Sequence, residues 1–181
     1  MQRPIRRTDK TMTGPQVEEL LRSGHCGRLG TVGADGWPYI CPLLFVWQEG
    51  KLWFHNTGAE GHLKSNLRQD PRACFEVDTP GQVFAYGRFD CDTSIEYQSV
   101  VAFGRVTITD DPALRTRFFD SLMAKYYSKD VSRPKHFYPR LDSITLYSMT
   151  IERITGKAQS LPAEQERWPA ADRTRSPHAV P

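Results

Sequence analysis

The sequence predicts a mainly β domain: a small antiparallel barrel carrying a few short helices. Short β-rich runs joined by tight turns follow one another through the first half of the chain. The one strong helical periodicity comes late, at 112–127. Strands and helices nowhere alternate in the βαβ order of a Rossmann-type sheet.

The elements can be justified in chain order. Thr13 is a fitting N-cap for a short helix, with Pro15 in its first turn, Val17, Leu20 and Leu21 on one face, and Gly24 at its end. Two β-rich runs, 26–32 and 37–47, flank Gly33-Ala34-Asp35-Gly36, and an Asp-Gly turn in that setting signals a hairpin. The second run ends at Gln48-Glu49-Gly50-Lys51, and 52–55 returns as its partner. A short helix is expected over 60–69, with Leu63 and Leu67 on one side and Asp70-Pro71 stopping it. Then come a strand at 72–77, an extended segment at 83–89, and a long strand at 96–109 in which Gly104 predicts a bulge or bend. Leu114, Phe118, Leu122 and Tyr126 recur at four-residue steps in the helix at 112–127, capped by Asp110 or Asp111. The alternating run 143–154 is expected to close the sheet. Residues 1–160 thus form one domain. The stretch 161–181, with four prolines and many charges, reads as a flexible tail that cannot bury enough surface to order itself.

Composition removes several function classes. A net charge of +3 with interleaved signs gives no nucleic-acid footprint. No run approaches the ~18 apolar residues of a membrane span, and the basic opening Met1–Arg7 has no apolar stretch behind it, so neither a membrane partner nor a secretory signal is expected. Cys26, Cys41, Cys74 and Cys91 form no CxxC pair, which argues against a zinc or dithiol site and fits reduced thiols in a cytoplasmic protein. His55 and His62 lack a third ligand, so no metal site is expected.

The stretch 53–67 carries most of the chemistry. A strand ends there in polar and small residues, and a helix begins beside Gly58 and Gly61. Free N–H groups at a helix start attract anions, and glycine permits close approach of a phosphate. Asn56, Thr57 and His62 add donors, and Lys64 adds charge. An ordinary capped helix after a hairpin accounts for the same residues, and both readings stand at this point. Neither GxGxxG after a parallel strand nor GxxxxGK[ST] occurs.

The joint order of short motifs is more specific. Gly-Arg-Leu-Gly-Thr at 27–31, Asp-Gly-Trp-Pro-Tyr at 35–39, Cys-Pro-Leu-Leu-Phe at 41–45 and Lys-Leu-Trp-Phe-His at 51–55 are followed by Glu-Gly-His at 60–62, Asn-Leu at 66–67 and Asp-Pro-Arg-Ala-Cys-Phe-Glu-Val at 70–77. This order resembles the FMN-binding split-barrel family related to pyridoxamine 5'-phosphate oxidase, above all its nitroimidazole-resistance branch. Residues 97–105 and Ile154-Thr155-Gly156-Lys157 match in type and order, so the resemblance covers about residues 5 to 158.

The resemblance implies a six-stranded antiparallel split barrel and a homodimer with FMN at the subunit interface. It implies that the strand including Pro42, Leu43, Leu44 and Phe45 follows the flavin ring, that His55, Asn56 and Thr57 follow the ribityl chain, and that Gly61 and His62 hold the phosphate. Leu63 stands where the family often has lysine, and Lys64 lies about 100° further round the helix. Ser99 and Val100 become cleft residues by resemblance alone. The implied activity is FMN-dependent oxidoreduction of a small molecule, either nitroreductase-like or resembling pyridoxamine-phosphate oxidase, with no catalytic residue assigned. A non-catalytic FMN carrier or sensor, or a split-barrel haem or deazaflavin user, remains the alternative. His55 as a packed edge histidine, Trp37, Trp47 and Trp53 as barrel wall or dimer interface, and solvated His25 and His136 are the structural readings beside these.

Overall fold

The computed structural model describes residues 6–86, 89, 91–127 and 134–163. After a single 3-10 turn at Thr8–Lys10, the elements are α1 (Gly14–Ser23), β1 (Gly27–Val32), β2 (Pro38–Leu43), β3 (Phe45–Gln48), β4 (Lys51–Thr57), α2 (His62–Gln69), β5 (Arg72–Ala85), β6 (Thr93–Thr109), α3 (Pro112–Tyr126), a 3-10 turn at Leu141–Ser143, and β7 (Ile144–Gln159). The strands form one antiparallel sheet in the order β2-β1-β5-β6-β7-β4-β3.

Seven strands, not six, make this sheet, because the run expected as one strand at 37–47 is two. It breaks at Leu44, and its halves occupy opposite edges of the sheet. One corner residue thereby joins the first strand of the sheet to the last. The other departures are extensions. β5 absorbs the start of the extended segment through a slip between Pro80 and Val83, β6 begins at Thr93, and β7 runs on to Gln159. The tail from residue 164 onward lies outside the described residues.

Local chemistry explains the turns. Gly36 has φ 81°, and Asp35 Oδ1 accepts from the Trp37 N–H at 3.1 Å, closing the β1–β2 hairpin. Glu49 and Gly50 both have positive φ in the β3–β4 turn. The bulge expected at Gly104 is present as a register shift after Phe103, and a Cβ there would run into the Thr150 carbonyl. Thr13 and Gln16 form the N-terminal box of α1, and Asp111 caps α3 by accepting from Ala113 and Leu114 N–H.

Two apolar clusters hold the fold. Alternation along the strands turns Leu29, Leu52, Phe54, Phe75, Val77, Val100, Ala102, Tyr147 and Met149 into the barrel, where α1 plugs one opening with Val17, Leu20 and Leu21. Leu63 and Leu67 dock α2 onto the same core. On the other face of β4, Val46, Leu146, Phe118 and Leu122 pack under α3.

Candidate functional site

The corner at Leu44, the end of β4 and the start of α2 supply most of the expected site. Pro42 faces out from β2, while Leu43 closes β2 opposite Gly27 with its side chain buried. Leu44 is 42% exposed at the corner, and Phe45 is fully buried at the start of β3. Among the described residues neither the N–H nor the C=O of Leu44 has a hydrogen-bond partner.

β4 divides its residues by parity. Asn56 shares the barrel side of Leu52 and Phe54 and accepts a hydrogen bond from the Tyr147 hydroxyl at 3.0 Å. Burial raises the pKa of that hydroxyl. Thr57 is exposed at the strand end, opposite Ile144. His55 points the other way, beneath α3, where its ring meets Phe118 at 5.4 Å and Phe119 at 4.9 Å. Its Nδ1 is buried without a partner among the described residues, and desolvation lowers its pKa. His55 is therefore not on the face that carries Asn56.

Gly61 is the N-cap of α2, and a Cβ there would meet nothing within 4 Å. The first helical bond runs from Ser65 N–H to the Gly61 carbonyl at 2.9 Å, so among the described residues the N–H groups of His62, Leu63 and Lys64 are free. His62 is exposed with its ring 5.3 Å from that of Tyr39 on β2, which ties the helix start to the strand that leads into the corner. Buried Asn66 donates to Thr31 Oγ1 at 3.1 Å and fixes α2 against β1. Lys64 reaches back to the Gly58 carbonyl at 2.8 Å, so its ammonium closes the turn before the helix.

Ser99 and Val100 sit on β6, three places along the sheet from β2. Ser99 donates to Glu76 at 3.4 Å, and Val100 is fully buried in the barrel. Within one chain they do not join the corner.

Sequence reasoning missed two neighbours of the corner, Lys125 and Tyr126 on the last turn of α3. Tyr126 Oη accepts from the Phe45 N–H at 3.3 Å and donates to the Phe45 carbonyl at 3.1 Å. Lys125 Nζ donates to that carbonyl at 3.2 Å, and burial pushes its pKa down to about 8. Some eighty residues separate these partners, so no local pattern announces them. Periodicity marked Tyr126 only as core.

A concavity of about 720 Å³ lies elsewhere, on the outer sheet face among Arg28, Ile40, Cys74, Phe103, Glu152 and Arg153. It shares only Pro38 and Ile40 of β2 with the strand that enters the corner. Beside it Val32, Trp37 and Ile40 are 50%, 74% and 68% exposed, an apolar patch on a face otherwise laced by Arg28 with Glu76 and Asp78. Among the described residues no group of three or more His, Cys, Asp or Glu could hold a metal ion, and no helix is long and apolar enough to cross a membrane.

The residues present fit a phosphorylated flavin. Three free N–H groups beside an unobstructed glycine suit a phosphate, and an unpaired peptide at an exposed corner suits the polar edge of a ring system. The fold is that of a split barrel. A family model described as pyridoxamine 5'-phosphate oxidase matches residues 14–158, and the chain belongs to that family. A comparison with curated proteins found no match.

Solved structures agree on the fold. A 5-nitroimidazole antibiotic resistance candidate from Bacteroides thetaiotaomicron is 19% identical with a TM-score of 0.67, over 81% of this chain and 85% of that one. An FAD-binding protein from Mesorhizobium loti is 22% identical with a TM-score of 0.61, over 83% and 98%. A flavocytochrome from Azotobacter vinelandii is 16% identical with a TM-score of 0.72, over 98% and 89%.

Proposed function

We propose that this protein binds FMN and acts as an oxidoreductase on a small molecule. The observation that carries the reading is the free amide cradle at the start of α2, joined through His62 and Tyr39 to the strand leading into the Leu44 corner. Gly61 and the N–H groups of His62, Leu63 and Lys64 would hold the phosphate, with the His62 ring beside it. Asn56 and Thr57 would meet the ribityl chain, and the corner peptides the ring. FMN, when bound, supplies the electron transfer; the protein binds it, orients it and excludes water from it. Lys64, already engaged with Gly58, contributes charge more than a direct contact.

The proposal includes a homodimer. The apolar patch of Val32, Trp37 and Ile40 supports it, as does the separation of Ser99 and Val100 from the corner. A second subunit would bring its own β6 to this cleft and complete it.

One preparation tests the reading. The co-purifying ligand, identified by mass, is expected to be FMN, bleached by NADH or NADPH and restored by a nitroaromatic or another small acceptor. Bound flavin that no donor reduces points to a carrier. A haem reading draws on His136, whose Nδ1 pairs with Asp120 at 2.8 Å while the ring stays exposed; a Soret band without a flavin mass would favour it.

A further inference from the structure

Leu44 has free backbone groups although both its neighbours are held. Leu43 lies in the ladder opposite Gly27, and Phe45 opens β3 opposite Phe54. The peptide unit that carries the Leu44 carbonyl also carries the Phe45 N–H. In a trans peptide these two groups point in opposite directions, and no peptide in the described residues is cis. Whatever holds the Phe45 N–H therefore sets the direction of the Leu44 carbonyl.

That N–H is held by Tyr126 Oη at 3.3 Å. The same hydroxyl donates to the Phe45 carbonyl at 3.1 Å, joined there by Lys125 Nζ at 3.2 Å. The ammonium also lies 3.7 Å over the Phe45 ring, which is fully buried edge-on to Phe75 at 4.9 Å. Backbone donor, backbone acceptor and side chain of Phe45 are each fixed, and the one polar group left open on its N-terminal side faces away from α3.

We propose that Tyr126 is a positioning residue: by holding the Phe45 N–H it presents the free Leu44 carbonyl as an acceptor for a ring N–H of the flavin, with Lys125 securing the next carbonyl. This rests on the flavin reading above. An isoalloxazine ring bears an N–H on its pyrimidine part that needs an acceptor once water leaves. A backbone carbonyl meets that need only if its direction is fixed before binding, because a freely turning peptide would lose part of the gain in ordering.

The test compares full-length wild type, Tyr126→Phe and Lys125→Met. FMN affinity is read by fluorescence quenching, together with the visible spectrum and midpoint potential of the bound flavin. Hydrogen exchange of the peptide spanning 42–47 is followed without FMN. Tyr126→Phe removes one hydroxyl and keeps the ring. It is expected to weaken FMN about three- to tenfold, shift the flavin absorption and potential, and speed exchange at the corner. Lys125→Met is expected to act in the same direction by a smaller factor, and it decides the matter if Tyr126→Phe does not fold. Wild-type affinity, spectrum and potential in the folded variants, with tight binding by wild type, overturn this inference alone. A wild type that takes up no FMN overturns the flavin reading and this inference with it.

Discussion

The Tyr147 hydroxyl donates to Asn56 Oδ1 at 3.0 Å, across neighbouring strands whose pairing sets Phe54 opposite Tyr147. The Tyr147 ring stacks on Phe54 at 5.2 Å and is fully buried. One buried aromatic thus anchors the side chain that ends the polar run of β4. Tyr147→Phe keeps the stack and leaves Asn56 without its donor. Urea unfolding is expected to show a loss of about 1–2 kcal/mol. An unchanged midpoint would mean that water satisfies Asn56 equally well.

His62→Ala is expected to lower FMN occupancy about tenfold while far-UV dichroism and thermal midpoint stay near wild type. The side chain is exposed and touches the fold mainly through Tyr39, so its loss leaves the barrel intact. Flavin titration of the purified variant checks this. Full occupancy would take His62 out of the phosphate site.

Burial of His55 sets a pH dependence. Its folded pKa is lowered from the ordinary 6.5 by desolvation, so the unfolded chain takes up this proton at higher pH than the folded one. Stability therefore rises with pH where the unfolded state binds more protons. His55 is expected to contribute a loss that begins as pH falls through 6.5 and continues down to the lowered folded value. Asp70, held at about 2 by Arg72, loses its contribution only in a more acid range, below its ordinary 3.8. Denaturant midpoints measured from pH 7.5 to 5 should decline for wild type and flatten for His55→Phe. Parallel curves would mean that the imidazole is solvated.

Gly27 lies where β1 passes over two aromatic rings, and a Cβ there would clash with Phe75 and press on Phe45 at 3.2 Å. Gly27→Ala is expected to cost about 1–3 kcal/mol by forcing buried rings off their rotamers. Thermal unfolding reads the shift. Because the displaced Phe45 adjoins the corner, flavin affinity should fall with it.

The hairpins, the helices and the Gly104 bulge were legible in the sequence because each rests on local chemistry: an Asp-Gly turn, a cap, an apolar period, a glycine within a strand. The break at Leu44 was not, since 41–45 is an unbroken apolar run with no glycine or further proline after Pro42 to mark a corner. The side of β4 that His55 takes follows from strand parity, yet which side is the barrel depends on β7, ninety residues further on. The start of α2 could be read from its glycine and histidine. The grip of Lys125 and Tyr126 on Phe45 could not, because only the tertiary fold brings α3 to that strand.

β7 lies between β6 and β4, so the β3–β4 hairpin has no sheet to join until the last strand arrives. On the ribosome the first hundred or so residues can zip β2, β1, β5 and β6, but both halves of the corner come together only when the chain through Gln159 has emerged. On the proposed reading, loading with FMN is then a late event of biogenesis, and nascent chains truncated before Ile144 should remain colourless however much riboflavin phosphate surrounds them.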